Sequence, residues 1–179
     1  MNRATERLGR SGEYFAASVL SMQSDSVLLM PPGAEADILF DYEQKFLKVQ
    51  VKTKSHRHKS EKDLWKFDIR RGSSSRERFF REGQIDLFAL CCTEYNKVLF
   101  YPFHEVTNAE GNSKTAIYIK DNIIRSNNNE ASLEAALKSI TEHNNQLQYN
   151  YGRYNKFNYS GRFSSSKCIR IRIFYLETD

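Results

Sequence analysis

The sequence predicts an α/β fold, a mixed β-sheet flanked by helices. Three observations carry this. Leu8, Phe15, Val19 and Met22 recur at helical spacing within residues 3–22, an apolar stripe that Ala4 extends. Residues 36–52 hold two short apolar runs split by a polar turn, the pattern of a β-hairpin. Ile85 to Cys92 and Val98 to Tyr101 are near-continuous apolar runs joined by a polar turn at 93–97, which places them centrally in a sheet covered on both faces.

Each element follows in order. In the first helix Gly9 and Gly12 lower helix propensity and predict close packing or a break. Ser26 to Met30 reads as a short strand ended by Pro31-Pro32-Gly33, a stiff turn leading to Asp37. The hairpin strands hold Ile38, Leu39 and Phe40, then Phe46, Leu47, Val49 and Val51, with the turn at 41–45. Leu64 to Ile69 alternates, which puts Trp65, Phe67 and Ile69 on one face. Arg76 to Arg81 reads as a helical turn, and Asp86, opening the next strand, as a structural acid bonding a neighbouring loop. Thr115 to Ile119 is a further strand, 127–129 a helix N-cap region, and Ala131 to about Glu142 a second helix. Cys168 to Leu176 alternates as a closing strand. Cys91, Cys92 and Cys168 lack zinc-ligand spacing and read as reduced thiols.

The hairpin carries the chemistry. Alternation sends Gln50 and Lys52 to one strand face and Val49 and Val51 to the other. Pairing brings Asp37 across from the end of the second strand. An Asp37 carboxylate, the Gln50 side-chain carbonyl and the Val51 backbone carbonyl are oxygen donors of the kind magnesium takes. Such a metal activates water and offsets phosphate charge, and Lys52 beside it orients the water or stabilises developing charge. The plainer reading of the same residues is a solvated hairpin face. Glu13 likewise reads either as a further metal or water ligand or as a surface helix acid.

Asp37 followed by Gln50-x-Lys52 resembles the PD-(D/E)xK nuclease signature, with Gln in place of the second acid. Gly12-Glu13-Tyr-Phe-Ala-Ala is similar to the first acidic motif of that superfamily. Asp86-Leu-Phe-Ala-Leu followed by Lys97-Val-Leu-Phe-Tyr-Pro is similar to the later strands of its branch of small group I intron-encoded homing endonucleases, which also uses Gln-x-Lys. The similarity spans about residues 8–106 and departs at Ala36, where many members have Pro, and at the neutral Gln50. It implies a restriction-endonuclease-like core. It also implies a Mg2+-dependent, sequence-specific endonuclease of double-stranded DNA, with Mn2+ as a substitute metal. Glu13, Asp37, Gln50 and Lys52 would be the catalytic residues, and Asp37, Gln50 and the Val51 carbonyl the metal ligands. A Holliday-junction resolvase or a restriction enzyme would use the same core. A non-catalytic DNA-binding protein on a nuclease scaffold is the alternative of another class.

Charge supports a polyanionic partner. Residues 44–82 hold 13 Lys or Arg against five acids, and 144–172 hold six with no acid, whereas the remaining segments are net acidic. Phosphate contacts are expected from Lys54, His56, Arg57, Lys59, Arg70, Arg71, Arg76, Arg78 and Arg81. His56 and His58 lack a third partner at metal spacing and read as loop residues. From residue 144 the composition turns to Tyr, Asn and basic residues, including Tyr151, Arg153, Lys156 and Arg162. This extension reads equally as a DNA-contacting segment and as a subunit-pairing arm. At 179 residues one domain is expected, a nuclease core over 1–143 with the extension over 144–179 as part of it. A long target exceeds what one small domain reads, so a dimer or tetramer is expected. No apolar stretch reaches membrane length and the N-terminus is charged, which implies an intracellular, cytoplasmic protein without membrane contact.

Overall fold

The computed structural model describes residues 3–58, 63–71 and 78–158, with only the backbone course given for 150–158. Lys59, Arg76, Arg162 and the expected strand at 168–176 lie outside the described residues, as do the side chains of Tyr151, Arg153 and Lys156. Two compact units divide the chain, 1–143 and 144–179.

Helix α1 (Arg3–Leu20) leads into strands β1 (Val27–Leu29), β2 (Ile38–Tyr42) and β3 (Lys45–Lys54). Strands β4 (Leu64–Asp68), β5 (Leu87–Cys92), β6 (Lys97–Pro102) and β7 (Ala116–Lys120) follow, with a 3-10 turn at Phe103–Val106. Helices α2 (Asp121–Ser126) and α3 (Asn129–Asn158) complete the described chain. The main sheet has the order β1-β2-β3-β5-β6, and β4 and β7 form a separate two-stranded ribbon. β3 and β5 are parallel and every other pair is antiparallel. The parallel pair needs a long crossover, and β4 lies within it.

Alternation along the strands divides the apolar side chains between two cores. Val49 and Val51 face Ala16, Leu20, Leu133 and Leu137 beneath α1 and α3. Phe88, Leu90 and Leu99 face the other way, against Trp65, Phe67 and Ile119 of the ribbon. Every residue of β5 is therefore buried, as its unbroken apolar run predicts. β6 is an edge strand, and side chains cover its open groups: Asn129 Oδ1 and Ser132 Oγ accept from the Val98 and Phe100 N–H groups, and Asn127 Nδ2 donates to the Val98 carbonyl. An edge satisfied in this way is closed to further strand pairing.

The β2–β3 hairpin closes through Glu43 and Gln44, both with positive φ (50° and 64°), so the turn is two residues and Asp41 and Tyr42 extend the strand. Asp86 bonds a strand: its Oδ2 accepts from the Lys48 N–H at 2.8 Å. α1 stops at Leu20, which leaves Met22 outside its stripe and 67% exposed. Residues 78–81 are not helical; Phe80 packs inward and Arg81 bridges to Asn112. α3 runs beyond residue 142, since no glycine or proline interrupts it before Gly152. Among the described residues no helix is long and apolar enough to cross a membrane.

Candidate active site

The site forms where β2 begins and β3 runs on past it, paired only with β5. Ile38 pairs with Val49, and the Asp37 N–H donates to the Val49 carbonyl at 3.0 Å. One residue before the strand, Asp37 turns its carboxylate back along β3. Its Oδ2 accepts from the Val51 N–H at 2.8 Å and from Gln50 Nε2. The N–H and carbonyl of one strand residue point to the same edge, so the Val51 carbonyl faces the side on which Asp37 sits.

α1 brings Glu13 to this edge because Gly12 allows it. A β-carbon on Gly12 would lie 1.9 Å from Thr53 Oγ1, and the Gly12 carbonyl accepts from Cys91 Sγ at 3.4 Å. The helix therefore lies directly on β3 and β5 with no break at Gly12. Glu13 pairs with Arg10 (Nη1–Oε2, 3.0 Å). Burial raises the Glu13 pKa, and the negative charge of Asp37 raises it further, against the lowering effect of Arg10. Burial also raises the Asp37 pKa, opposed by the Val51 N–H bond and by the charges of Lys52 and Arg10.

Lys52 extends from the opposite face of β3 and donates to the Arg70 carbonyl at 2.8 Å, with the Phe80 ring 6.0 Å from its Nζ. Burial lowers its pKa, and the charges of Asp37 and Asp68 counter this. Asp37, Gln50, Lys52 and Glu13 thus share one electrostatic neighbourhood. Two members of it have no counterpart in the sequence reading. Arg10 is coupled to both acids, and its signal is its place three residues before Glu13 on one helix face. Asp68 acts on Lys52 from β4, and its signal is its outward position in the Trp65–Phe67–Ile69 alternation.

The expected DNA-contacting residues fall in several places. Arg70 lies beside the site but pairs with Asp68, whose pKa the guanidinium lowers to about 2. Arg71 lies over the Phe80 ring, 5.4 Å from its centroid, and its N–H donates to the Arg78 carbonyl. Lys54 ends β3, His56 is exposed beside Ser55, and Arg81 is exposed. Arg57 is bound into a structural cluster, donating to Glu94, to the Tyr95 hydroxyl and to the buried Asp121. Asp121 also accepts from Trp65 Nε1 and the Tyr95 hydroxyl and pairs with Arg125.

The profile of the PD-(D/E)XK endonuclease family matches residues 4–136. The chain belongs to that family. Among solved structures it is similar in fold to one described as a bacterial homing endonuclease, I-Ssp6803I, with a TM-score of 0.54 and 21% identity. That likeness covers 80% of this chain and 97% of the other. No curated protein matches significantly.

A PD-(D/E)XK endonuclease implies a divalent metal, and the donors here fit one. Glu13, Asp37, the Gln50 amide and the Val51 carbonyl are all hard oxygen donors, the chemistry of a magnesium shell. Glu13 and Asp37 repel each other, and a cation between them relieves that repulsion. Among the described residues no group of three or more His, Cys, Asp or Glu is placed to hold a metal. A metal held here would therefore draw on the amide and the main-chain oxygen besides the two acids.

Proposed function

We propose that the protein is a metal-dependent, sequence-specific endonuclease of double-stranded DNA, acting as an intron-encoded homing endonuclease. The observation that carries this reading is the convergence of Gln50 Nε2 and the Val51 N–H on the Asp37 carboxylate, with Glu13 and Lys52 coupled to the same carboxylate. Asp37, Gln50 and the Val51 carbonyl would hold Mg2+, with Glu13 assisting and Mn2+ as a substitute. When bound, the metal supplies activation of water and charge neutralisation at the phosphate.

The chain's own residues do the rest. The Val51 N–H holds Asp37 in one orientation, and Gln50 Nε2 donates to the same carboxylate, so Oε1 is the oxygen this amide would offer as a neutral ligand. Lys52 presents a partly desolvated ammonium. Its attraction to a phosphate gaining negative charge is stronger there than in water. Anchoring to the Arg70 carbonyl fixes the direction of that ammonium, so little reorganisation accompanies the reaction. Arg10 offsets charge at Glu13 and at Asp37.

A symmetric dimer or tetramer acting on duplex DNA in the cytoplasm completes the proposal, because paired copies read related half-sites. The test is cleavage of a supercoiled pool of inserted sequences with Mg2+ by the native chain and by Lys52→Ala. Cuts at one site, absent for the variant, are expected. Preferential cutting of four-way junctions would move the assignment to a resolvase. Binding without cutting under every divalent metal would leave a non-catalytic DNA-binding scaffold.

A further inference from the structure

The β4–β7 ribbon turns one face inward and leaves the other open. Trp65, Phe67 and Ile119 are buried in the second core. The opposite face pairs Leu64 with Lys120, Lys66 with Tyr118 and Asp68 with Ala116. On it Tyr118 is 55% exposed and Lys120 is exposed. Lys66 Nζ stands 5.4 Å from the Tyr118 ring centroid, so the ring holds the ammonium in place before any ligand arrives. A two-stranded antiparallel ribbon is narrow enough to enter the DNA major groove.

The ribbon is also tied to the reactive centre. Arg70, two residues beyond β4, gives its carbonyl to Lys52 Nζ at 2.8 Å. Its N–H and guanidinium bond to Asp68, which fixes the strand exit. A strand rises about 3.3 Å per residue, close to the roughly 3.4 Å spacing of stacked base pairs. Counting back from Arg70, Lys66 lies roughly 13 Å and Leu64 roughly 20 Å along the strand, equivalent to about four and six base pairs.

We infer that the outer face of this ribbon is the sequence-reading element of the enzyme. It would enter the major groove of a duplex whose scissile phosphate lies at Lys52, and the facing pair Lys66 and Tyr118 would read base pairs about four steps from the cut, with Leu64 about six steps away. The class of partner is duplex DNA read at its base edges: Lys66 donates to guanine acceptors, Leu64 meets thymine methyls, and Lys120 reaches the flanking phosphates. The inference rests on the DNA endonuclease reading above, and its test separates the two.

The test scores binding apart from cleavage. The full chain with Ca2+ in place of Mg2+ is used to select bound duplexes from a randomised pool, for the native protein and for Lys66→Gln, Tyr118→Ala and Lys120→Gln. Thermal melts confirm that these surface substitutions leave the fold intact. Lys66→Gln and Tyr118→Ala should each reduce base discrimination at least about fivefold within one short block of the target and leave other positions as in the native protein. Lys120→Gln should weaken all sequences alike and lower the salt slope by about one. Native discrimination at every position in both Lys66→Gln and Tyr118→Ala overturns the proposal, and so does a native chain that selects no sequence. Selective binding that these variants relax, without cleavage in Mg2+, upholds the ribbon as reader and overturns the endonuclease reading instead.

Discussion

Two glycines in one helix should respond in opposite directions to the same substitution. Gly9 has nothing within 4 Å of an added β-carbon, whereas at Gly12 that carbon would meet Thr53 Oγ1 at 1.9 Å and Thr53 Cβ and Cγ2 at 2.9 Å. Alanine in place of glycine within a helix gains about 1 kcal/mol. Gly9→Ala should therefore stabilise by about that amount, a rise of roughly 2–4 °C in Tm for a chain of this size. Gly12→Ala carries the same helix gain against overpacking of about 1–3 kcal/mol, with the upper end apt for so short a contact. A net loss of about 1–2 kcal/mol is expected, together with loss of cleavage as Glu13 moves off the site. Thr53→Ala removes Oγ1 and Cγ2 and leaves only the 2.9 Å contact. Thr53 Oγ1 is buried without a hydrogen-bond partner, so its removal alone costs little. In that background Gly12→Ala should be near neutral, a coupling of about 1–2 kcal/mol in a double-mutant cycle. Urea denaturation of the four chains measures it. Stabilisation by Gly12→Ala equal to that by Gly9→Ala would refute the close seating of α1 on β3, and with it the placement of Glu13.

Other outcomes follow from the site and the hairpin. Glu13→Gln should raise Tm by roughly 2 °C at pH 7 while reducing cleavage, since it removes a charge that the fold disfavours. The sign follows from the raised folded pKa of Glu13: the native state keeps its proton above the ordinary 4.5. Native stability therefore falls as pH rises through the raised pKa, and melts at successive pH values should show the gap to Glu13→Gln closing as pH is lowered. Mg2+ at ten times its Kd should stabilise the native chain by about 1.4 kcal/mol, and a thermal-shift titration should find no such gain in Asp37→Asn. Gln44 has a φ of 64° in the hairpin turn; Gln44→Gly relieves a left-handed conformation and should stabilise by about 0.5–1 kcal/mol in urea.

What the sequence made legible was local. The alternation Val49-Gln50-Val51-Lys52 needs only period two to separate core from chemistry, and the structure follows it. The unbroken apolar run of β5 likewise reports its own burial. Contacts that join distant elements left little trace. Arg57 reads as a phosphate-contacting cation until Asp121 and Tyr95 come within reach of it. α2 is six residues long, too short to establish a helical period, and its Asp121 is instead the acceptor of the Trp65 indole. Gly12 signalled either a break or close packing, and only the position of Thr53 decides between them. Arg10 is marked locally by its i,i+3 spacing to Glu13 and Asp68 by its outward place in β4, but their Coulomb coupling to Asp37 and Lys52 joins separate elements and leaves no mark in the sequence.

Single-turnover cleavage by Lys52→Met tests most directly whether catalysis takes place at the proposed site on β3. Native chain and variant are compared on one identified target in Mg2+, with melting curves to confirm folding. A folded variant that binds the target with native affinity and cuts at least about a hundredfold more slowly is the predicted result. A folded Lys52→Met that cuts at the native rate would contradict it.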